Sequence, residues 1–147
     1  MNFEDLKGSV ELERYAFYKT SLKSVVINEN ISIALGVFEK SSLEEAKIYA
    51  SFIGENAFKD NELKKLILSG GSMTIKESAF SNNDIESLVV KCKSLKLDRE
   101  VFRNNNIKSV KIENLEEIYD STFWGNPIEE LEIPEETKVI RSEGDEE

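Results

Sequence analysis

The sequence lacks histidine and holds a single cysteine, Cys92. Without histidine, the chain has no imidazole to act as a general base, a proton shuttle or a metal ligand. One cysteine excludes an internal disulfide and a thiolate metal cluster, and no imidazole is present to activate Cys92 as a nucleophile. The Gly70-Gly71 pair belongs to no phosphate-binding motif, and we place it in a loop. We therefore expect a non-enzymatic protein with no cofactor and no bound metal.

Long apolar runs are also missing. None approaches the roughly 18 residues that cross a membrane as a helix. The first residues, MNFEDLKGSVELERY, carry neither the basic nor the apolar region of a signal peptide. We expect a protein of the cytoplasm by default, without membrane contact, and secreted or on a surface only if the chain is a fragment. Its 147 residues suit one domain.

Positive charge is scarce at one end of the chain. Residues 1–112 hold 16 acidic and 17 basic residues, whereas residues 113–147 hold 13 acidic and 2 basic. No basic stripe is present for a phosphate backbone, so we expect no direct nucleic-acid binding. The acidic end is either a solvated terminus or a surface that meets a basic partner.

A repeat runs through the sequence, and phenylalanine marks its register. Aliphatic residues recur five, eight and ten positions after each phenylalanine, and five positions before it, without a polar exception. The marker residues are spaced by 20 to 22 positions: Phe17, Phe38, Phe58, Phe80, Phe102 and Phe123. A fixed period of this length is typical of solenoid proteins.

Each repeat predicts two extended segments and one turn. The aliphatic residues eight and ten positions after phenylalanine have the two-residue period of a strand with one buried face. A weaker alternation before each phenylalanine predicts a second, shorter strand. The phenylalanine lies in a turn or a 3₁₀ segment and fills the interior. Three positions later stands a short polar residue, as in Asn61 and Asn83, which can form a ladder that satisfies buried backbone groups.

Two copies of the repeat show the pattern most clearly: IGENAFKDNELKKLIL (53–68) and IKESAFSNNDIESLVV (75–90). This pattern resembles the bacterial BspA-like, or type 5, leucine-rich repeat from about residue 10 to residue 133. The resemblance implies a right-handed solenoid of six coils of 20–22 residues, with a parallel sheet on the concave side and turn or 3₁₀ segments on the convex side. It also implies a scaffold that carries its function on its surface, since many members of this family are secreted or surface proteins that bind host or matrix proteins. We expect a protein partner, and a monomer or weak oligomer.

We divide the chain into an N-terminal cap (1–9), the solenoid (10–140) and an acidic, disordered tail (141–147). Phe3 and Leu6 are the candidates to cover the first coil, because the terminal coils of a solenoid expose apolar surface. Val139 and Ile140 repeat the segment that precedes phenylalanine, but no phenylalanine follows them. They predict a strand of a seventh coil that is not completed.

Residues that point outward from the strands are the candidate binding site. Val26, Tyr49, Ile67 and Val89 give this face an apolar half, which indicates either a contact surface or the general preference of strands for such residues. The charged members of the predicted site are Lys47, Lys91, Lys111, Glu113, Glu130 and Glu132. Trp124 directly follows Phe123, at a position that is polar in most of the other repeats. It either covers the last coil or anchors a partner.

Two functions follow as hypotheses. The first is a protein-binding module that uses the concave sheet. The second is an acidic inhibitor or decoy, in which residues 113–147 block the basic groove of a nucleic-acid-handling enzyme.

Overall fold

A computed structural model describes residues 1–141, which wind as a solenoid of six coils. Within this range the chain forms strands and turns and no helix. The eleven strands, in chain order, are β1 Val10–Leu12, β2 Ser24–Ile27, β3 Ile31–Ile33, β4 Glu45–Ile48, β5 Phe52–Ile53, β6 Lys65–Ile75, β7 Ser87–Leu97, β8 Ser109–Lys111, β9 Leu115–Tyr119, β10 Glu130–Glu132 and β11 Lys138–Ile140.

Each coil has two strands separated by a corner, and equivalent strands of successive coils lie side by side in parallel. This gives two rows of strands along the solenoid, which we call the front file and the back file. The front file consists of β2, β4, the start of β6, the start of β7, β8 and β10. The back file consists of β1, β3, β5, the ends of β6 and β7, β9 and β11. Strands pair one repeat apart, so that Ile27 lies beside Ile48 and Ile48 beside Leu68. Equivalent aliphatic side chains therefore line up in the core, as the repeat predicts.

The predicted second strand is present, and in the two central coils it continues from the first. β6 and β7 each run for 11 residues through the gap between the two predicted strands, and in β6 this gap contains Gly70-Gly71. Gly70 adopts a φ of +112° there and pairs with Cys92. The prediction of a loop at these glycines is wrong, because a residue without a Cβ lets the strand bend without leaving the ladder.

The six phenylalanine rings form one stacked file along the solenoid. Successive rings lie 5.0 to 5.6 Å apart between centroids, at interplanar angles of 6 to 17°. The four central rings are fully buried, whereas Phe17 and Phe123 are only partly buried. The expectation that all six are buried is wrong at the ends, because a terminal coil has a full neighbour on one side only.

The polar residue after each phenylalanine forms the predicted ladder. Asn61 Oδ1 accepts hydrogen bonds from the N–H groups of Ser41 and Leu43, both at 2.9 Å. Its Nδ2 donates to the carbonyl oxygens of Phe38 and Phe58, at 2.8 and 2.9 Å. The same bonding to the turn carbonyls and the preceding coil recurs at Asn83, Asn105 and Asn126. In residues 1–141 no buried side-chain nitrogen or oxygen is without a partner.

The first three residues lie along β2. Asn2 forms an isolated parallel bridge with Val26, and the buried ring of Phe3 packs edge-on against Phe17 at 6.0 Å. Leu6, the other residue that we expected to cover the first coil, is exposed. That residues 1–9 act as a cap remains a prediction.

The last described strand confirms the start of a seventh coil. β11 pairs with β9 and places Val139 beside Ile118. Leu131 and Val139 are 44% and 57% exposed, because no further described coil covers them. The predicted disordered tail lies outside the described residues, apart from Arg141.

Candidate functional site

The outward side chains of the front file form one surface, which we call the front face. Val26, Lys47, Ile67 and Val89 occupy the same position in four successive, paired strands. Val26, Ile67 and Val89 are half-buried and Lys47 is exposed. Tyr49, also half-buried, follows β4 two positions after Lys47. The structure thus brings the predicted apolar residues together on neighbouring strands.

The charged half of the front face lies on β8 and β10. Lys111 pairs with Glu132 in the parallel ladder, and Ser109 pairs with Glu130. Lys111 Nζ lies 4.0 Å from the carboxylate of Glu113, and both side chains are more than 60% exposed. An ion pair with this exposure contributes little to stability. Both charges are therefore accessible to a partner.

The front file is interrupted between its apolar and charged halves. β7 and β8 share no ladder, so that β8 and β10 form a separate two-stranded sheet. A cleft of about 590 Å³ opens there, lined by residues 88–93, 109, 111, 113 and 114. The amide of Asn114 donates to the carbonyl oxygen of Cys92 at 3.2 Å and bridges the far end of the cleft. The parallel sheet on this side of the solenoid is therefore split, and the split lies within the predicted site.

Core residues become accessible at this cleft. Leu88 and Val90 are half-buried, although the equivalent residues of coils 1, 2, 3 and 5 are at most 4% exposed. They lie beside Val89, which points outward. Unlike the rest of the front face, the cleft thus has an apolar floor as well as an apolar edge.

A difference in coil length accounts for the split. Val90 and Leu95 are five positions apart in β7, whereas their equivalents in the next coil, Ile112 and Leu115, are three apart. The step from coil 2 to coil 3 has the same two-residue mismatch, and Gly70 lets the ladder continue there. The longer corner at the split is residues 91–94 of coil 4, which contain no glycine and so no counterpart of the positive φ of Gly70.

Trp124 lies apart from the other predicted site residues. It is in the turn around Phe123 and is 44% exposed. The guanidinium of Arg103 lies 5.9 Å from its ring centroid, within the range of a cation–π contact. The tryptophan is at the surface, as predicted, but the structure does not place it on the front face.

Cys92 is packed in the core beside the cleft. Its Sγ lies 4.0 Å from the Sδ of Met73, and burial raises the pKa of the Cys92 thiol to about 11. Since the thiolate is the reactive form, a thiol with this pKa is a poor nucleophile at neutral pH. The geometry thus favours a packing role for this residue.

Sequence reasoning missed part of this surface. Leu88 and Val90 fit the core columns, and Lys93 and Asn114 stand in the variable gaps between repeats. The shorter gap before β9 was the available signal. In the described part of the chain, no acidic or cysteine side chains cluster as a metal site, and no helix is long and apolar enough to cross a membrane.

Comparison with known proteins gives one match. The family model described as a BspA type leucine-rich repeat region matches residues 32–144, in six copies. This range covers more than half of the chain and confirms the resemblance in the repeat. No curated protein and no solved structure matches the chain.

Proposed function

The chain belongs to the BspA-type leucine-rich repeat family, and we propose that it is a protein-binding module that contacts its partner through the front face. The family is one of interaction modules. One observation carries the choice of surface: Val26, Ile67 and Val89 stand in one outward row, where the solenoid core does not need them.

Apolar and aromatic side chains at the centre of a surface supply most of the binding energy of an interface. Tyr49 adds an amphipathic ring to the row, and such rings are enriched at interfaces. Lys47 stands within this row, between Val26 and Ile67, and the charges of β8 and β10 lie beyond one end of it. Charges at a rim guide association and orientation more than they add affinity.

The proposed activity needs no catalysis and no cofactor. The interior of the solenoid is filled with packed side chains, so a catalytic group would have to lie at the surface. The described surface presents no histidine and no reactive thiol. That the chain is not an enzyme, and that it works as a monomer or weak oligomer, remain predictions.

Site-specific cross-linking tests the surface. A photoreactive phenylalanine analogue at Ile67 should cross-link a protein from an extract of the native host, because this residue lies at the centre of the apolar row. The matched control places the same analogue at Phe52, which is 38% exposed on the back file. Equal cross-linking from both positions, or cross-linking from Phe52 alone, would show that the front face is not the contact.

The acidic decoy is the second candidate. Five exposed glutamates lie at the C-terminal end of the solenoid, and within the described residues none of them forms an ion pair: Glu129, Glu130, Glu132, Glu135 and Glu136. Uncompensated negative charge attracts a basic groove. Because exposed charges are screened by salt, this function predicts that affinity falls steeply as salt is added, whereas an apolar contact changes little.

A further inference from the structure

The front file extends one strand beyond the first coil. The N–H of Val26 donates to the carbonyl oxygen of Met1 at 2.9 Å, and the N–H of Phe3 donates to the carbonyl oxygen of Val26 at 3.4 Å. Where coils 5 and 6 meet, the N–H of Ile112 donates to the carbonyl oxygen of Glu132 in the same pattern, at 2.9 Å. The N-terminal residues therefore take the place of a front strand in a coil that lacks its back strand.

The back file extends one strand beyond the last full coil. β11 pairs with β9 and places Val139 beside Ile118 and Lys138 beside Glu117. Within the described residues, no front strand follows β10. The C-terminal end of the described solenoid therefore has the back half of a coil without its front half, and the N-terminal end has the reverse.

These two half-coils complement each other. When a second copy of the chain continues the solenoid of the first, β11 of the first copy and residues 1–3 of the second fall in the same layer. Both files then cross the junction with one strand per coil. The front file runs through β10, residues 1–3 and β2, and the back file through β9, β11 and β1. Among the described residues, the turn of the shared layer is the part that neither end supplies.

Exposed apolar side chains of the two ends meet in this arrangement. Leu131, which is 44% exposed, occupies a core column of β10 and faces the position that Met1 takes in the shared layer. Val139, which is 57% exposed, continues the core column of the back file and lies beside Leu12 of the next copy. In a central coil the equivalent of Leu131 is Leu66, which is fully buried. The ends thus carry apolar surface that a further coil would bury.

Charges on the back strands are complementary as well. Lys96 Nζ lies 3.9 Å from the carboxylate of Glu117, and Lys138 stands next in the same column. Since Glu11 occupies this column in β1, the stack places it beside Lys138 of the preceding copy. Glu11 and Lys138 are both exposed, and neither forms an ion pair within the described residues. The sign of the charge therefore alternates across the junction.

We propose that copies of this chain stack head to tail, with the C-terminal end of one solenoid on the N-terminal end of the next. Two C-terminal ends placed together would instead bring the exposed glutamates of β10 against each other, and such like-charge contacts are unfavourable. A head-to-tail contact leaves one complementary end free on each side, so it can repeat along an open stack. The inference goes beyond the proposed function, and the front face stays outward along the stack.

Sedimentation velocity of the full chain, at concentrations up to about 1 mM, tests the proposal. We expect a series of species from the dimer upwards, because each added copy presents a new end. The variant Leu131→Glu/Val139→Glu should raise the dissociation constant by about tenfold or more, since it places charge in the apolar contact. Phe52→Glu is the matched control, because Phe52 is exposed on the back file of a central coil. This control should associate as the wild type does.

A charge exchange tests the direction of stacking. Lys138→Glu and Glu11→Lys should each weaken association by about threefold or more, and the double variant Glu11→Lys/Lys138→Glu should restore it. Both positions are exposed, so the melting temperatures should match that of the wild type. When Leu131→Glu/Val139→Glu is added to wild-type chain, it should bind through its intact N-terminal end and stop the series from growing.

Any of four outcomes would overturn the proposal. They are a monomer at every concentration, a series that stops at the dimer, equal association of wild type and Leu131→Glu/Val139→Glu, and a double charge variant that associates no better than the single ones. These outcomes do not bear on cross-linking from Ile67, which lies in a central coil. The front face can therefore stand or fail separately from the stack.

Discussion

The side-chain amide of Asn83 donates to the carbonyl oxygen of Phe58, one coil earlier, at 3.0 Å. The same amide group donates to the carbonyl oxygen of Phe80 in its own coil at 3.1 Å, and its Oδ1 accepts from the N–H of Leu63 at 3.0 Å. One side chain thus satisfies three backbone groups at the turn. The asparagine column and the phenylalanine column therefore stabilise the same stack of turns.

Replacing Asn83 by alanine should destabilise the fold by about 2 kcal/mol or more, because each buried backbone group left without a partner costs roughly 1–3 kcal/mol. Urea unfolding measures the change. Asn106→Ala is the matched control, since Asn106 is exposed and such changes usually stay within about 0.5 kcal/mol. Equal stability of the two variants would argue against the ladder.

Truncation of a central ring tests the register of the repeat. Phe58→Ala and Phe80→Ala should each cost about 3–5 kcal/mol, the usual range for a buried phenylalanine, whereas Phe123→Ala should cost less because its ring is partly exposed. Thermal and urea unfolding give these values. A cost below about 1 kcal/mol at both central positions would show that the file of rings is not the core.

Gly54 marks a close approach between two coils. A Cβ on this residue would lie 2.7 Å from the main-chain carbon of Ala34 and 2.9 Å from the carbonyl oxygen of Ile33. Because backbone atoms cannot move aside cheaply, Gly54→Ala should destabilise the solenoid by about 1–3 kcal/mol. Gly71→Ala, where a Cβ meets nothing within 4 Å, is the control. A Gly54→Ala variant as stable as wild type would contradict the packing of coil 2 against coil 3.

Burial of Cys92 predicts a specific pH dependence. Its pKa in the folded chain is raised to about 11, above the value near 8.5 of an exposed thiol. Above about pH 8.5 the unfolded chain binds fewer protons than the folded one, so this thiol contributes a loss of stability between pH 8.5 and 11 and none below. Alkylation by iodoacetamide should remain slow in the folded chain up to about pH 10 and follow a midpoint near 8.5 in urea. A midpoint near 8.5 in the folded chain would contradict the buried environment.

Much of the fold could be predicted from the sequence because the same residue pattern recurs in six repeats. The stacked rings and the asparagine ladder depend on columns that recur at a fixed spacing, and neighbouring coils satisfy them in the same way. Phe17 and Phe123 depart from the expectation because burial depends on a neighbour, which the terminal coils have on one side only.

The cleft could not be predicted because it depends on two adjacent coils together. The sequence shows that the gap after Ile112 is shorter than the gap after Val90. It does not show that β7 runs on through its gap, or that the front ladder is kept at the same mismatch between coils 2 and 3. The outward residues were predictable from the two-residue period of the strands, whereas exposure of Leu88 arises only from the separation of β7 and β8.

The affinity of front-face variants for the cross-linked partner tests the central claim most directly. Serine or threonine at Val26, Tyr49, Ile67 and Val89 should weaken binding by more than about tenfold and leave the melting temperature nearly unchanged. Charge reversal at Glu113, Glu130 and Glu132 should mainly slow association and change its salt dependence. The opposite ranking, with the glutamates dominant and the apolar four without effect, would contradict the binding module and favour the acidic decoy.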